Sequence, residues 1–270
     1  MTDRHLKVSA AGRMRAAGMI IGALRQNSGM DERMSEPDLT DDDGGRAETD
    51  APWAMQLALR DDRPQRPSHL AVCESTAAAV VLFLTDPRVV EPDGEWRAPT
   101  GRWLSGAIRK VVRRGRGVRF AAVEELPGIQ VQRRGACVRA FVPGPTDRVP
   151  PALAKLQVGG TDQPERGEPA PPVAGGLSIA LTPLTGMTTG KSAAQSGHAA
   201  QLALRSMDRR AVRAWQDSDW AVRVLLPDAA GWARLERLAP VAVHDGGFTE
   251  VKPGTRTALA WWGGAEPGER

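Results

Sequence analysis

A segment rich in proline, glycine and charged residues divides this chain into two stretches of similar pattern. Residues 160–176 read GTDQPERGEPAPPVAGG, a composition that disfavours helix and strand and is typical of a linker. Runs with strand or helix periodicity end before this segment and begin again after it. The pattern predicts two α/β units, at residues 51–159 and 177–270, joined by the linker at residues 160–176.

The first 50 residues are predicted to be disordered. Residues 31–50 are acidic, contain glycine and have almost no large apolar side chains, so they cannot bury enough surface to offset the entropy of ordering. Met30 and Met34 are alternative start sites, which would make residues 1–29 a mis-assigned extension. No function is predicted for this part of the chain.

The first unit contains runs typical of strands and helices. In the clearest helical run, Val80, Val81 and Leu84 recur at helical spacing. Strands are expected at Trp53–Leu59, Val118–Val123 and Cys137–Val142, and helices at Ser68–Thr85 and Thr100–Arg114.

The second unit alternates strands with helices, which favours a layered α/β fold. Strands are expected at Leu177–Leu181, Trp220–Leu226, Val241–His244 and Thr257–Trp262, and helices at Lys191–Ser206 and Asp228–Leu238.

The bulk composition is that of an ordinary soluble protein, with 41% hydrophobic residues, 25% charged residues and a net charge of +4. This mild positive charge gives only weak support for a polyanionic partner. The apolar run GMIIGAL at residues 18–24 is far shorter than the roughly 20 residues that span a bilayer, so a cytoplasmic protein without membrane association is expected. Cys73 and Cys137 lack metal-ligand spacing and are expected to be buried thiols.

The two units also share short stretches of sequence, which favours an internal duplication. Residues 69–78 align without a gap with residues 191–200, and residues 121–125 align with residues 241–245. Chance similarity between two α/β units is the alternative. If the duplication is real, the first copy is degenerate, because His69, Glu125, Ile129 and Val138 stand where the second copy has Lys191, Asp245, Thr249 and Thr257.

Polar residues that could carry chemistry are concentrated in two motifs of the second unit. GMTTGKSAAQSGHA at residues 186–199 is a glycine-containing turn that opens a helix, and DGGFTEVKPGTRT at residues 245–257 lies between two strands. Such loops form the usual ligand crevice of an α/β sheet, so the motifs are expected to meet. A nucleotide triphosphatase is disfavoured, because three residues separate Gly186 from Gly190 where the phosphate-binding loop has four.

Together the two motifs resemble those of the type-2 peptidyl-tRNA hydrolases. That family shares the block M-x-x-G-K-x-A-A-Q-x-x-H-A and, further along the chain, D-x-G-x-T-x-V-x-P-G-T-x-T. The resemblance covers residues 177–263. The matching residues are Met187, Gly190, Lys191, Ala193, Ala194, Gln195, His198 and Ala199 in the first block, and Asp245, Gly247, Thr249, Val251, Pro253, Gly254, Thr255 and Thr257 in the second.

This resemblance implies a three-layer α/β/α fold around a mixed four-stranded sheet, and hydrolysis of the ester bond between peptide and tRNA. Ester hydrolysis requires an activated water and a donor for the developing oxyanion. Asp245 could orient or deprotonate the water, and Lys191, at a helix start, could stabilise the oxyanion or grip the terminal phosphate. No metal or other cofactor is predicted. The implied catalytic residues are Lys191, Asp245, Thr249 and Thr257, and the expected substrate-binding residues of this unit are Gly190, Gln195, His198 and Thr255.

These residues also have ordinary structural alternatives. Lys191 could be an exposed lysine, Asp245 could form a turn, and His198 could be a packing residue. Family members usually have an arginine and an aspartate where this chain has TPLT at residues 182–185, and a second lysine where it has Thr189. This loss of positive charge keeps two alternatives open, a non-catalytic RNA-binding relative and another ester hydrolase.

An arginine-rich stretch of the first unit is a candidate for binding RNA. Residues 109–119 (RKVVRRGRGVR) include six basic residues, and arginine suits phosphate contacts. Arg113, Arg114 and Arg116 are therefore predicted to bind substrate, with a solvated basic helix face as the alternative. The expected partners are tRNA and peptidyl-tRNA. The expected assembly is a monomer that contains an intramolecular pseudo-dimer, with a homodimer as the alternative.

Overall fold

The computed structural model describes residues 51–64, 66–247 and 250–268. The predicted disorder of residues 1–50 therefore lies outside the described residues. The first unit contains, in chain order, β1 (Trp53–Arg60), α1 (His69–Leu84), α2 (Pro87–Val90), α3 (Arg97–Leu104), β2 (Arg109–Gly115), α4 (Gly117–Glu124), β3 (Gly128–Arg133), β4 (Ala136–Phe141), β5 (Gly144–Pro145), α5 (Pro151–Ala154) and β6 (Gln157–Val158).

The second unit contains every strand and helix predicted for it, with small shifts at their ends. A further helix, α7, was not predicted, because Val212 and Trp215 are its only buried residues and most of the others are charged or polar. The elements are β7 (Leu177–Leu181), α6 (Thr189–Ser206), α7 (Arg209–Asp217), β8 (Val222–Leu225), α8 (Ala229–Leu238), β9 (Val241–His244) and β10 (Arg256–Trp262).

The two units have sheets of the same topology. The first sheet has the order β3-β4-β1-β2, with β6 beyond β2, and the second has the order β9-β10-β7-β8. In each unit the first strand runs parallel to the second and antiparallel to the fourth, which is β4 in the first unit and β10 in the second. The mixed four-stranded sheet predicted for the second unit is confirmed. The internal duplication stays a prediction, since a shared topology does not by itself establish a common origin.

Helices cover both faces of both sheets. α4 and α5 cover the outer face of the first sheet, where Phe120 and Leu153 pack against Ala58. α8 covers the outer face of the second sheet, where Trp232 packs against Leu259. α1 and α6 lie between the sheets, and residues of both units form one continuous core there. Alternate residues of a strand point to opposite faces of the sheet. Because helices cover both faces, side chains on both sides of each sheet are buried.

α1 and α6 pack side by side and run in the same direction. Near their starts, His69 Nδ1 lies 3.0 Å from Thr189 Oγ1, and further along, a Cβ on Gly197 would lie 3.0 Å from Val80 Cγ2. The sequence of α1 has no polar face, which fits a helix buried on nearly all sides. Parallel packing places the starts of both helices on one side of the molecule.

Two secondary-structure predictions for the first unit were wrong. The helix predicted at Thr100–Arg114 ends at Leu104, and β2 follows, paired with β1 in the middle of the sheet. The apolar residues have helical spacing, but pairing with β1 and burial of Val112 stabilise a strand here instead. The strand predicted at Val118–Val123 is the helix α4, because Phe120 and Val123, three residues apart, enter the same apolar cluster.

The structure also corrects part of the internal alignment. Residues 69–78 and 191–200 do lie on equivalent helices, but residues 121–125 end α4 whereas residues 241–245 span β9 and its end. In the shared topology, the residue that follows the third strand is Arg134 in the first unit and Asp245 in the second. Arg134, and not Glu125, is therefore the counterpart of Asp245.

The linker at residues 160–176 has no helix or strand, as predicted, but it is fixed to both units. The backbone N–H of His69 donates to the carbonyl of Glu165 over 2.8 Å. The backbone N–H of Ala170 donates to Glu74 Oε1 over 2.8 Å. Glu74 Oε1 also accepts from the backbone N–H of Val224, in β8, at 3.1 Å. The linker thus follows α1 and takes part in the packing between the units.

Candidate active site

The first motif forms the start of α6. The Thr188 hydroxyl caps the helix by accepting from the backbone N–H of Lys191 at 3.2 Å. Thr188 is fixed in turn by Glu250, whose carboxylate accepts from its backbone N–H at 2.8 Å and from its hydroxyl at 2.7 Å. These contacts connect the start of the helix to the second motif and fix the position of Lys191.

The second motif forms a closed turn between β9 and β10. The backbone N–H of Asp245 donates to the carbonyl of Thr255 over 2.9 Å, and the N–H of Gly254 donates to the carbonyl of Asp245 over 2.8 Å. Gly247 has a φ of +76°, and a Cβ there would lie 2.3 Å from Pro253 Cγ. Only glycine fits this position, where its N–H donates to Asp245 Oδ1 at 2.8 Å.

The two motifs meet at an ion pair between Lys191 and Asp245. The Lys191 ammonium donates to Asp245 Oδ2, and Gln195 Nε2 donates to the same oxygen at 2.7 Å. Gln195 lies one helical turn after Lys191, so both side chains leave the same face of α6. Asp245 is 8% exposed, which makes it a nearly enclosed carboxylate with a small opening to solvent.

Thr257 completes this group from β10. The pairing of β9 with β10 is irregular between Arg256 and Ala258, so Thr257 lies in a bulge. Its hydroxyl donates to Gln195 Oε1 at 2.7 Å and lies 3.4 Å from the carbonyl of Val243. Thr257 is fully buried, so it acts on the ion pair through Gln195 and does not itself face solvent.

The linker covers the start of α6. The carbonyl of Thr161 accepts from the N–H of Gly190 at 2.9 Å, and Asp162 Oδ1 accepts from the Thr189 hydroxyl at 3.1 Å and from the Thr189 N–H at 3.4 Å. A Cβ at Gly190 would lie 3.2 Å from Thr161 Cβ. Because these amides already have acceptors, the helix start is not an open phosphate cradle, and any anion contact falls to the Lys191 ammonium.

The remaining predicted residues of the second unit are more dispersed. Thr255 donates its hydroxyl to the carbonyl of Lys252 at 2.7 Å and supports the turn. His198 is partly exposed on α6, two turns after Lys191. Burial, followed by the nearby charges of Lys110 and Arg205, lowers the pKa of His198 to about 3. It is therefore neutral at physiological pH. Thr249 lies outside the described residues.

The three predicted arginines do not act as one patch. Arg114 and Arg116 contact the buried carboxylate of Asp61, at 3.4 Å and 2.8 Å. Gln163 Nε2 also donates to Asp61, at 3.1 Å, while the Gln163 backbone N–H donates to Thr189 Oγ1 at 3.0 Å. This pair of arginines is thus connected to the start of α6. Arg113 points to the outer face of the sheet, where it donates to Gln56 Oε1 at 2.8 Å and to the Leu153 carbonyl at 3.3 Å.

Several residues that shape the site were missed from the sequence. Glu250, Thr161 and Asp162 lie in segments without periodicity, and their contacts with α6 depend on how distant parts of the chain fold together. Asp61 follows a predicted strand, a position that often faces a crevice in an α/β sheet. That position is the signal that could have identified Asp61.

Metal-ligand clusters and membrane-spanning helices are both absent from the described residues. Among residues 51–64, 66–247 and 250–268, no group of three or more His, Cys, Asp or Glu side chains is arranged to hold a metal ion. No helix in that part of the chain is long and apolar enough to cross a membrane. Cys73 and Cys137 are free and buried, as predicted.

Fold and site define an α/β protein with a polar site at one edge of a mixed sheet, where a helix start meets a strand end. Residues 179–266 match the family described as peptidyl-tRNA hydrolase PTH2. Two similar proteins, both named peptidyl-tRNA hydrolase and from two strains of Halobacterium salinarum, are 38% identical over 82 residues, which is 28% of this chain and 73% of theirs. No solved structure matches. The chain belongs to the type-2 peptidyl-tRNA hydrolase family.

Proposed function

We propose that this protein hydrolyses the ester bond of peptidyl-tRNA in the second unit. The observation that carries the proposal is the ion pair between Lys191 and Asp245, joined by Gln195 and nearly enclosed by protein. Its residues come from the two motifs of the resemblance, and the similar proteins carry the name peptidyl-tRNA hydrolase. Metal-independent turnover is part of the proposal.

The geometry supports attack by water on the ester carbonyl. Asp245 takes a proton from the water as its oxygen bonds to the carbonyl carbon. Lys191 donates to the oxyanion that forms, so the ammonium partly exchanges Asp245 for the substrate. When the carbonyl re-forms, the bond to the ribose oxygen breaks and Asp245 returns the proton to that oxygen. The products are a free peptide carboxylic acid, which ionises, and a tRNA with a free terminal hydroxyl.

Gln195 and Thr257 position the carboxylate. The amide of Gln195 has its oxygen fixed by the Thr257 hydroxyl, so its nitrogen is directed at Asp245 Oδ2. Gly247 holds the other carboxylate oxygen through its backbone N–H. With both oxygens held, Asp245 meets a water molecule in one orientation, which lowers the entropic cost of the reaction.

Turnover by the full chain tests the proposal. Lys191→Met and Asp245→Asn should each lower kcat for peptidyl-tRNA by about a hundredfold or more, since each removes a charge that acts in the transition state. Lys155→Met is the matched control, because Lys155 is exposed at the end of α5 in the first unit. A wild-type rate no higher than that of Asp245→Asn would contradict the proposal and would favour a non-catalytic RNA-binding relative.

We also propose that Arg114 and Arg116 bind the tRNA backbone beside the site, whereas Arg113 does not. The Arg116 side chain is 43% exposed, so it can reach a phosphate while it remains near Asp61. Arg116→Gln should reduce the dependence of tRNA affinity on salt concentration by about one unit of the log–log slope. Arg113→Gln, on the opposite face of the sheet, is the control. Equal slopes for both variants would contradict this role.

The first unit is proposed to be a degenerate copy that acts as a built-in second subunit. Support comes from the shared topology and from the parallel packing of α1 against α6 in one core. The protein should then sediment as a monomer of 28.9 kDa. A stable homodimer in equilibrium sedimentation would contradict this assembly.

A further inference from the structure

Lys110, from the first unit, reaches across the catalytic helix α6. It lies in β2 and points to the face of the sheet that packs against α6. Gly197 makes this path possible, because a Cβ there would lie 3.4 Å from Lys110 Cδ and 3.0 Å from Val80 Cγ2. The lysine stem therefore passes through a notch in the surface of α6 at Gly197. Its ammonium reaches the part of the helix around Gln201, which follows Lys191 in the chain.

The ammonium of Lys110 has polar and aromatic neighbours but no acidic partner. Its Nζ donates to Gln201 Oε1 at 2.5 Å and lies 5.0 Å from the centre of the Trp103 ring. Lys110 forms no ion pair with any residue in the part of the chain that the structure describes. Burial lowers the pKa of Lys110 to about 7. Holding a cation in such a place costs stability unless an anion joins it.

Gln201 adds an unused donor at the same place. It is fully buried, and its Nε2 has no hydrogen-bond partner among the described residues. Since Oε1 of the same planar amide contacts Lys110, this nitrogen lies beside the ammonium. His198, one turn earlier on α6, is partly exposed and neutral, so it can also donate through a ring N–H. These donors without an acidic neighbour form an arrangement that suits an oxyanion.

We propose that Lys110, His198 and Gln201 form a phosphate subsite for the RNA strand that leads to the scissile ester. The inference rests on the proposed function, since it assigns a second contact to the same substrate. Gln201 follows Lys191 by ten residues on one helix, a rise of about 15 Å, which is the span of about four phosphates in one stacked strand. The first unit would thus supply a lysine to the substrate path of the second.

Binding of deacylated tRNA over a range of salt concentrations tests the subsite without requiring turnover. Lys110→Met keeps the stem in the notch and removes the charge. It should weaken binding roughly 3- to 10-fold and lower the salt slope by about 0.7 to 0.9, the value for one lost phosphate contact. Lys155→Met should match the wild type, and Lys110→Arg should restore most of the slope. Equal slopes for Lys110→Met and the wild type would overturn the proposal.

A purely structural role for Lys110 predicts a different result. The melting temperature should then fall in Lys110→Met while tRNA binding stays unchanged, and this outcome would also overturn the proposal. The subsite predicts an unchanged or higher melting temperature, since an apolar side chain replaces an unpaired charge. If the wild type turns over peptidyl-tRNA, KM should rise in Lys110→Met with kcat unchanged. If it does not, the proposed function fails, but the binding measurement still decides the subsite.

Discussion

The two units share a strand order but differ in the residues at the ends of equivalent elements. The second unit has Lys191 at the start of its first helix and Asp245 after its third strand, and these two pair. The first unit has His69 and Arg134 at those places. His69 contacts the Thr189 hydroxyl of the other unit, and Arg134 pairs with the buried Glu74. The same frame therefore supports packing between the units in one half and an ion pair between the two motifs in the other.

The surroundings of a buried carboxylate also differ between the two units. Asp61 in the first unit is fully buried and is surrounded by Gln163 and three arginines. Among the described residues, Asp245 in the second unit pairs with one cation, Lys191, and it has a small opening to solvent. A carboxylate held by several cations is suited to stabilising structure, whereas one that pairs with a single cation can more readily exchange it for another group. The arginines around Asp61 are Arg66, Arg114 and Arg116.

The largest expected effect concerns the structural carboxylate. Asp61→Asn should lower the free energy of unfolding by about 3–5 kcal/mol, because it leaves partly buried arginines without their counter-charge. Urea unfolding followed by circular dichroism measures this. Asp219→Asn is the control, since the Asp219 side chain is 91% exposed and its positive φ suits asparagine. It should change stability by less than about 1 kcal/mol. Equal losses would mean that Asp61 has no special role.

A second, smaller effect should appear in acid. Burial alone would raise the pKa of Asp61, but hydrogen bonds from Arg66, Arg116 and Gln163 outweigh it and lower the pKa from 3.8 to about 2. The stability from this lowered pKa is fully present above about pH 4 and is lost as the pH falls through 2, a loss of about 2 kcal/mol. Urea midpoints between pH 5 and pH 2 measure it. Asp61→Asn should lack this part of the acid dependence, and an unchanged acid limb in that variant would contradict the assignment.

The site was predictable from sequence where local motifs carry it. Lys191, Gln195 and Asp245 meet as expected, because a helix start and a strand end at one edge of a sheet bring their side chains together. The strands of the second unit were likewise predictable from their apolar runs. Local pattern and tertiary structure agree in this half of the chain.

The first unit was less predictable because its sequence and its tertiary structure disagree. β2 contains four basic residues, and the apolar residues around it recur at a spacing that also fits a helix. Only pairing with β1 makes it a central strand. The contacts of Asp162 with Thr189, and of Lys110 with Gln201, join residues far apart in the chain. No periodicity marks such contacts, so a single sequence does not reveal them.

The third prediction concerns a substitution that gives the second unit the residue found in the first. Val138 stands in the first unit where the internal alignment places Thr257 in the second. Thr257→Val removes the donor to Gln195 Oε1, so the amide is no longer fixed against Asp245. We expect kcat for peptidyl-tRNA to fall about 10-fold with little change in KM, which corresponds to the loss of one buried hydrogen bond. Thr257→Ser should recover most of the rate. A rise in KM with constant kcat would instead place Thr257 at the substrate.

The smallest expected effect concerns His198, the histidine on α6. Its pKa of about 3 results from burial and from the charges of Lys110 and Arg205. Because this pKa lies below the ordinary value of 6.5, the imidazole stays neutral from pH 5 to pH 8 and cannot supply a proton that titrates in that range. His198→Asn should therefore leave the shape of the pH profile of kcat unchanged, while KM rises a few-fold through the phosphate subsite. Loss of an inflection between pH 6 and pH 7 in this variant would show that His198 acts as an acid or base. The difference between the units would then extend beyond the pair of Lys191 and Asp245.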